Sequence, residues 1–295
     1  MSGKLKEIKL RIGAVKDTQQ ITKAMKMVSA SKLKRAQDAI KQVRPYSEKL
    51  NEVLGNIVTG LDGDISLSLA KERKVERVLV VLLTSDRGLC GAFNANLIKR
   101  AKGLIDEKYK DLADSGNISL MTIGKKGYDF FRNKVSFVND EFVESIAKPT
   151  FAKNATIAEL IIEAFEANEF DRVEVIYSKF KNAAVQDFSV EQFLPIQVNA
   201  KAAEGGSNND FLYEPNRANI LEDLVPRILK TYFHTMVLDN VASEHGARMT
   251  SMDNATSNCD ELVNDLTILY NRARQAAITT ELTEIVSGAA ALEAS

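Results

Sequence analysis

The chain has 295 residues, of which 45% are hydrophobic and 27% charged, and its formal net charge is −1. This composition supplies enough apolar residues for a core and is ordinary for a soluble protein, so disorder is not the default expectation. The two cysteines, Cys90 and Cys259, suggest neither a disulfide framework nor a zinc site, which favours a reducing compartment.

The first 15 residues alternate charged and apolar side chains and lack the apolar stretch of a secretion signal. We therefore expect the mature protein to begin here, in a cytoplasm. The longest apolar run, VLVVLLT at 78–84, is far shorter than the roughly 20 residues that a membrane-spanning helix needs. Any role at a membrane is expected to depend on partners.

Charge is distributed unevenly along the chain. Residues 1–60 contain 13 Lys and Arg against 5 Asp and Glu, a net charge of +8, which leaves −9 for the remaining residues. Such a run is either a solvated helix face or a basic surface that meets an acidic partner.

A heptad pattern runs through the N-terminal part of the chain. Its seam consists of positions 5, 8, 12, 15, 19, 22, 26, 29, 33, 36, 40, 43, 47, 50, 54 and 57. No glycine lies between Gly13 and Gly55, and Pro45 is expected to bend the helix rather than end it. The pattern predicts one coiled-coil helix of about 50 residues, about 75 Å long.

The seam of this helix becomes polar between Gln19 and Ser29. In the same interval Ile21, Met25 and Val28 form a second apolar stripe. We expect the apolar face of the helix to change direction there.

Residues 75–200 have a different pattern, in which apolar runs of strand length alternate with segments of helical periodicity. The predicted elements are strands at 75–85, 118–124, 171–180 and 183–196, and helices at 90–112, 125–134 and 154–170. This alternation predicts an open, Rossmann-like α/β domain, flanked by linkers at 59–74 and 201–210.

The sequence TSDRGLCGAFNAN, residues 84–96, follows the first predicted strand and is the best place in this domain for chemistry. Its two glycines before a helix could hold a phosphate, but their spacing matches no nucleotide-binding motif. Cys90 has no histidine in the same domain to activate it, so we expect a buried thiol. Asp86 and Arg87 are expected to organise the turn.

A second pattern of 3-4 spacing begins at Leu221 and continues to Ala277. It predicts a helix from about residue 220 into the 280s, about 100 Å long, with Pro226 in its first turn. His245 and Cys259 fall on its seam and are expected to pack there. A helix of this length without caps is typical of a coiled coil.

The simplest partner for each terminal helix is the other. The chain leaves the first helix, forms the central domain and returns to the second helix. We therefore expect residues 1–58 and 211–295 to form an antiparallel, left-handed coiled coil. The C-terminal helix is the longer one, so its end must project. Its apolar last turns, 285–292, indicate either a sleeve supplied by another protein or a frayed tail.

No paired carboxylates, metal cluster or catalytic triad stands out in the sequence, which is unlike that of an enzyme acting alone. Two rival classes stay open on the residues: a nucleotide or phosphate enzyme at 84–96, and a nucleic-acid scaffold that uses the basic helix. Few aromatic side chains lie among the lysines of that helix, which disfavours the scaffold.

Several long stretches resemble the gamma subunit of F-type ATP synthase. They are TQQITKAMKMVSASKLKRAQ (18–37), RPY (44–46), SDRGLCGAFN (85–94) and the whole of 244–292. The C-terminal signature of that family is matched at Ile278, Thr279, Glu281, Glu284, Gly288 and Ala289. The matches lie in the family order and cover both terminal helices and the entry to the central domain.

The resemblance implies a rotor shaft that is not itself catalytic and holds no cofactor or metal. In this family the coiled coil lies on the axis of a hexamer of alpha and beta subunits. The α/β domain and lower shaft join the epsilon subunit and the membrane ring of c subunits. Proton flow turns the ring and the shaft, and the shaft drives the catalytic sites of the hexamer through ATP synthesis or hydrolysis. The implied location is peripheral, on the cytoplasmic face of a bacterial plasma membrane.

The resemblance also assigns roles to individual residues. Those expected to contact partners and couple rotation to catalysis are Thr22, Lys23, Met25, Lys26, Arg248, Gln275, Thr279 and Glu281. Those expected to form an apolar bearing tip are Ile285, Val286, Ala289 and Leu292. A shaft that grips one rotational state too tightly would stall, so we expect the polar stretch 242–266 to slide past several partners.

Overall fold

The computed structural model describes residues 2–59, 68–133, 142–147, 149–183, 185–196 and 217–293. The predicted linker at 201–210 lies outside these residues. The chain divides into two compact units. We call Met1–Val28 with Met249–Ser295 the helical unit, and Ser29–Arg248 the α/β unit.

The secondary structure follows the predicted order. The helices are α1 (Ser2–Thr59), α2 (Phe93–Lys108), α3 (Lys110–Asp114), α4 (Lys125–Phe131), α5 (Phe151–Glu166) and α6 (Arg217–Glu293). The strands are β1 (Val78–Leu83), β2 (Ile118–Ile123), β3 (Arg172–Phe180) and β4 (Gln186–Leu194), and a short 3-10 helix lies at Ser145–Ala147. Helix α1 continues through Pro45, as expected. Helix α6 begins at Arg217, so Pro226 lies inside it and not in its first turn.

In the helical unit, the two long helices pair antiparallel. Their cross-helix contacts join Gln19 with Asp260, Thr22 with Thr256, and Lys26 with Asp253. Numbers rise along one helix as they fall along the other, which confirms the predicted direction. The 3-4 spacing on both sides is that of a left-handed coiled coil.

The predicted seam of α1 is confirmed as far as its side chains are described. Every seam position from Leu5 to Leu50 is buried or partly buried. Seam positions 54 and 57 lie outside the residues whose side chains are described. On α6 the predicted seam residues Met252, Leu266 and Ala277 are buried in the same way. Heptad spacing alone was therefore enough to identify the inward face.

The expected change of direction at the polar break does not occur. Ile21 is 60% exposed and Val28 is 57% exposed, whereas Thr22 and Ser29 on the original seam are buried. The helix therefore keeps its seam through the break and fills it with polar side chains. Of the second apolar stripe, Ile21 and Val28 face away from the seam and Met25 is partly buried beside it.

The α/β unit contains a four-stranded mixed sheet in the order β2-β1-β3-β4. Strand β1 is parallel to both neighbours, with Val80 opposite Leu120 of β2 and Glu174 of β3. Strand β4 is antiparallel to β3. Parallel neighbours joined through helices give the open, Rossmann-like arrangement that the alternating pattern predicted.

The core of this unit is built on β1, whose six residues are all buried. Its alternate residues Val78, Val80 and Leu82 belong to a cluster with Leu97 and Ala101 of α2. Burial on both faces explains why β1 reads as a continuous apolar run instead of an alternating one. Each such large side chain contributes about 1.5–3 kcal/mol to the free energy of unfolding.

The α/β unit also contains the first part of α6. From Met236 to Arg248 every residue of the helix is buried. This corrects the expectation for 242–248, which are not a sliding surface but part of the interior of this unit. From the sequence, their polar side chains were expected to give a surface that binds partners weakly. In the structure, these side chains form hydrogen bonds to the sheet and its loops.

Candidate partner-binding surfaces

The polar break in the seam of the helical unit is filled by cross-helix hydrogen bonds. Thr22 Oγ1 and Thr256 Oγ1 lie 2.8 Å apart, and Lys26 Nζ lies 2.6 Å from Asp253 Oδ1. The Lys26 and Asp253 side chains are 40% and 52% exposed, so this ion pair contributes less than about 1 kcal/mol. The pairing is specific in register and weak in energy.

Two of the predicted coupling residues on α1 contact the other helix. Thr22 is only 8% exposed, and its hydroxyl also donates to the Gln19 carbonyl at 3.0 Å. Lys26 is drawn to the seam by Asp253. Lys23 is exposed and Met25 is partly buried, so these two residues have side-chain surface available to a partner.

The predicted coupling residues on the C-terminal part of α6 are exposed. Gln275, Thr279 and Glu281 all lie on the surface of the helical unit. The Thr279 hydroxyl donates to the Gln275 carbonyl at 3.0 Å, which satisfies it within the helix. Their contact with a partner stays a prediction.

The last turns of α6 expose large apolar side chains. Ile285 is 68%, Val286 is 66% and Leu292 is 80% exposed, and Ala289 is exposed as well. Apolar side chains clustered in this way mark interaction sites or aggregation liabilities. The structure thus has the surface that a bearing tip would need.

Arg248 lies in a different setting from the other predicted coupling residues. It is 7% exposed, and its Nη1 lies 2.6 Å from Glu244 Oε1. Its Nε donates to the Gly88 carbonyl at 3.2 Å and its Nη2 to the Arg87 carbonyl at 2.9 Å. The guanidinium therefore ties α6 to the loop after β1, and its role as a partner contact stays a prediction.

His245 is held in a defined protonation state by this arrangement. Burial, and then the charges of Arg248 and Lys32, lower its pKa from 6.5 to about 4. Arg248 Nη1 lies 3.2 Å from His245 Nδ1, so the neutral ring accepts there and carries its proton on Nε2. Burial raises the pKa of the neighbouring Glu244 carboxyl, and the charge of Arg248 opposes this rise.

The turn after β1, residues 84–96, is occupied by its own hydrogen bonds. Asp86 Oδ1 accepts from the Lys125 backbone N–H at 3.1 Å, and the Ser85 backbone N–H donates to Asn94 Oδ1 at 3.0 Å. Cys90 is 2% exposed, and burial raises the pKa of its thiol. The prediction of a buried thiol is confirmed, whereas the bonds within the turn are made by Ser85 and Asn94, and Asp86 instead bonds the start of α4.

The N-terminus of α4, which lies beside this turn, is closed to a phosphate, whereas these bonds do not bear on the start of α2, where the two glycines of the motif lie. The first backbone N–H groups of α4 are bonded by the loop after β1, through Asp86 Oδ1, the Ser85 carbonyl and Thr84 Oγ1. A carboxylate in that place would repel a phosphate. A polar cleft of about 550 Å³ lies nearby and is lined by Lys32, Asp86, Arg87, Lys125, Glu144, Ile146, Glu244, His245 and Arg248.

Sequence reasoning missed the partners of the polar seam and the polar groups inside the α/β unit. Asp253, Thr256 and Asp260 repeat the 3-4 spacing of the α1 break, a signal that was present in the sequence. Asp239 and Asn240, by contrast, gave no signal, because nothing local marks a polar helix residue as buried.

The described part of the chain has neither a candidate membrane span nor a metal cluster. Among its helices, none combines the length and apolar character that crossing a bilayer requires. The same residues contain no group of His, Cys, Asp or Glu arranged to hold a metal ion.

Comparison with known proteins gives a consistent result. The family model described as ATP synthase matches residues 4–292. The chain is 47% identical over 290 residues to the ATP synthase gamma chain of Cytophaga hutchinsonii, covering 98% of each chain. It is 48% identical over 289 residues to that of Flavobacterium psychrophilum, covering 98% of this chain and 99% of the relative.

Among solved structures, a chain of the Euglena gracilis mitochondrial ATP synthase, in an assembly described as OSCP/F1/c-ring, shares the fold. The TM-score is 0.66 at 21% sequence identity, and the match covers 100% of this chain and 96% of the other.

Proposed function

The chain belongs to the family of ATP synthase gamma chains, and we propose that it turns as the central shaft of such a synthase. The observation that carries this proposal is identity of 47% over 290 residues, nearly the whole length of both chains. A gamma chain is a stalk subunit of the complex and is not catalytic. The catalytic sites lie in the beta subunits.

The proposed task is mechanical coupling. Proton translocation through a membrane ring of c subunits turns this chain, and its asymmetric surface then meets each catalytic beta subunit in succession. The partners are the alpha and beta subunits of the hexamer, the epsilon subunit and the c ring. The complex works at the cytoplasmic face of a bacterial plasma membrane, and this chain contacts the membrane through those partners only.

The proposed shaft consists of residues 1–58 and 211–295, and the central domain of 75–200 joins it to the epsilon subunit and the ring. In the helical unit, weak polar pairs such as Lys26–Asp253 join the helices. Strong, specific contacts with one partner would trap one rotational state, because a partner shifts a population only by its differential affinity. A surface that adheres weakly supports turning.

The coupling contacts are proposed for the surface that α1 and α6 leave exposed. Lys23 and Met25 on α1, with Gln275, Thr279 and Glu281 on α6, support this proposal through their accessibility. The net charge of +8 in residues 1–60 suits acidic loops on the beta subunits. Thr22 and Lys26 hold α1 and α6 together, and Arg248 holds α6 to the loop after β1.

The bearing is proposed for the apolar end of α6. Ile285, Val286, Ala289 and Leu292 are exposed in the isolated chain, and an apolar sleeve in the hexamer would cover them. Apolar contact has no directional preference, so it allows a shaft to turn while keeping it centred.

The proposal is tested by assembling this chain with matching alpha and beta subunits and watching a bead while Mg-ATP is hydrolysed. Cys90 is buried, so an exposed position on α2, as in Lys102→Cys, should carry the bead. We expect stepwise rotation in one direction that requires ATP. A bead on a beta subunit of an immobilised hexamer is the control and should stay still. Failure to assemble, or ATP turnover by the isolated chain, would contradict the proposal.

A further inference from the structure

The first part of α6 combines full burial with polar side chains. Every residue from Met236 to Arg248 is buried in the α/β unit, and a helix buried on all sides is ordinarily apolar all round. Here Asn240 is 0% and Ser243 is 1% exposed. Buried polar groups weaken a fold unless they are bonded, so the bonds that they make indicate what they are for.

On one side, α6 is bonded to the main chain of β3. The Ser178 backbone N–H donates to Asn240 Oδ1 at 3.0 Å, and the Ser243 hydroxyl donates to the Ser178 carbonyl at 3.1 Å. Ser178 lies two residues beyond Ile176, the last residue of β3 that is paired with β1. Side chains of α6 thus bond both main-chain groups of Ser178.

On another side, α6 is bonded to the loop after β1 and to α5. Arg248 donates to the Arg87 and Gly88 carbonyls at 2.9 Å and 3.2 Å. His234 Nδ1 lies 2.7 Å from Asn154 Nδ2 of α5. Both attachments are buried, since Arg248 is 7%, His234 6% and Asn154 2% exposed.

A third side of α6 fits closely against the connection between β3 and β4. A Cβ atom placed on Gly246 would lie 3.2 Å from Ala183 Cα, which is tighter than an ordinary contact. The backbones approach each other there, and a helix turned about its axis would bring a larger side chain into the same space.

These attachments are distributed around the helix. At 100° per residue, Ser243 and Gly246 lie about 60° and 120° from Asn240 in one rotational sense. Arg248 and His234 lie about 80° and 120° from Asn240 in the opposite sense. Turning α6 about its own axis in either direction would therefore misalign bonds on opposite sides at once.

Direction is what distinguishes these bonds from apolar packing. Hydrophobic attraction is non-directional, so an apolar socket opposes turning of a helix only through the shapes of its packed side chains. Hydrogen bonds prefer angles above about 150° and weaken steeply below about 120°, so they resist rotation. A shaft helix that leaves its domain under load needs this kind of resistance.

We propose that residues 234–248 of α6 form a torsional anchor, a set of buried polar bonds that stops the shaft helix from turning inside the α/β unit. This inference rests on the proposed function, because only a chain that carries torque needs such an anchor. Torque that enters through the central domain is passed to α6 through Asn240, Ser243 and Arg248, while the apolar neighbours supply burial.

The test measures the torsional stiffness of the assembled complex. The bead is fixed to Lys102→Cys, and nucleotide is withheld so that the hexamer holds the shaft while thermal motion moves the bead. The variant Asn240→Leu with Ser243→Ala removes both bonds to Ser178 and replaces each side chain by an apolar one of similar branching. We expect the angular variance of the bead to rise roughly twofold, because the remaining apolar contacts resist turning only through shape.

The matched control is Thr231→Val on the same helix. Thr231 is 2% exposed, but its hydroxyl bonds the Arg227 carbonyl of α6 itself at 2.8 Å, so its loss leaves the attachment to the sheet intact. Its variance should equal that of the unsubstituted complex. If the double variant fails to assemble, Ser243→Ala alone serves as a smaller change, and it should still raise the variance above that of Thr231→Val.

The outcomes separate this inference from the proposed function. An unsubstituted complex that does not rotate with ATP would overturn the proposed function. A complex that rotates, but in which the double variant and Thr231→Val have equal variance, would overturn the torsional anchor alone.

Discussion

At the scale of single residues, Asp239 is a carboxyl group whose charged form is destabilised by burial. It is 8% exposed, and burial raises its pKa from 3.8 to about 6. Arg44 of α1 and Lys179 of β3 oppose this rise, whereas Glu191 of β4 adds to it. Tyr177 and Tyr232, whose hydroxyls bond Glu191, complete the surroundings.

The raised pKa of Asp239 has a definite consequence for stability. The folded chain binds a proton on the Asp239 carboxyl more tightly than the unfolded chain does. The protonated carboxyl therefore gives its full contribution to the free energy of unfolding below about pH 4, and this contribution is lost as the pH rises to about 6. Asp239→Asn should therefore raise the free energy of unfolding at pH 8 by up to about 3 kcal/mol, and by less at pH 5.

Urea denaturation followed by circular dichroism at the two pH values would measure this effect. Asp106→Asn, at an exposed position on α2, is the control and should change stability little at either pH. If Asp239→Asn gained the same stability at pH 5 as at pH 8, burial of the charged carboxylate could not be the cause.

Gly124, between β2 and α4, shows how one position can require glycine. Its φ is +113°, and a Cβ atom there would lie 2.2 Å from the Thr84 carbonyl oxygen. Gly124→Ala should lower the free energy of unfolding by about 3 kcal/mol or more, because main-chain atoms must move. Gly103→Ala, inside α2 with no atom nearer than 3.8 Å, should instead raise it by about 0.5–1 kcal/mol. Thermal or urea unfolding of both variants tests the contrast, and similar values would refute it.

At the scale of elements, the paired helices of the helical unit combine a regular seam with polar contents. The seam positions fix which face of α1 turns inward, and the polar break fixes register through pairs such as Thr22–Thr256. Since exposed ion pairs add little, most of the stability of the pair comes from the buried seam residues on either side of the break. The outer surface is left for partners.

Met25 lies beside that seam and gives the sharpest test of coupling. Met25→Lys should leave the subunit folded, since the residue is only partly buried, yet reduce proton-coupled ATP synthesis because the new charge pairs with an acidic loop. Met27→Lys adds the same charge at a position that is 61% exposed on another face, and should affect coupling less. Synthesis by reconstituted vesicles measures both, and unchanged coupling in Met25→Lys would show the contact to be absent.

The end of α6 makes a separate prediction. Deleting residues 285–295 should weaken torque or assembly without abolishing ATP hydrolysis by the hexamer, because the proposed bearing would guide the shaft and take no part in catalysis. Ile285→Ser with Val286→Ser keeps the length of the helix and removes part of its apolar surface, so it should reproduce part of the loss. Torque equal to that of the full-length complex would rule out the bearing.

At the scale of the whole molecule, the two units differ in the contacts that their polar side chains make. The helical unit has weak polar pairs and exposed side chains, which suit changing partners. The α/β unit holds the first part of α6 through buried directional bonds, such as Ser178 with Asn240, which suit a permanent attachment. One long helix therefore carries both kinds of surface, and the change occurs near Arg248.

The sequence by itself determined the elements that depend on local periodicity. The seam from Leu5 to Leu50, the apolar strand β1 and the buried Cys90 all follow from spacing or from neighbours along the chain. The motif at 278–289 indicated the family because its residues match the C-terminal signature of that family position by position. Among the candidate contact surfaces, the exposure of the last turns of α6 could be predicted, because the longer helix must project beyond its partner.

Tertiary structure alone decided where the polar residues of α6 belong. Residues 242–248 and 253–266 are both rich in polar and small side chains, yet the first group is buried in the α/β unit and the second pairs with one helix and is largely exposed. Burial of a polar helix face depends on partners far away in sequence, such as Ser178 and the loop at Arg87, which no local pattern encodes. The same reason explains why the burial of Arg248, predicted as a partner contact, could not be read from the sequence.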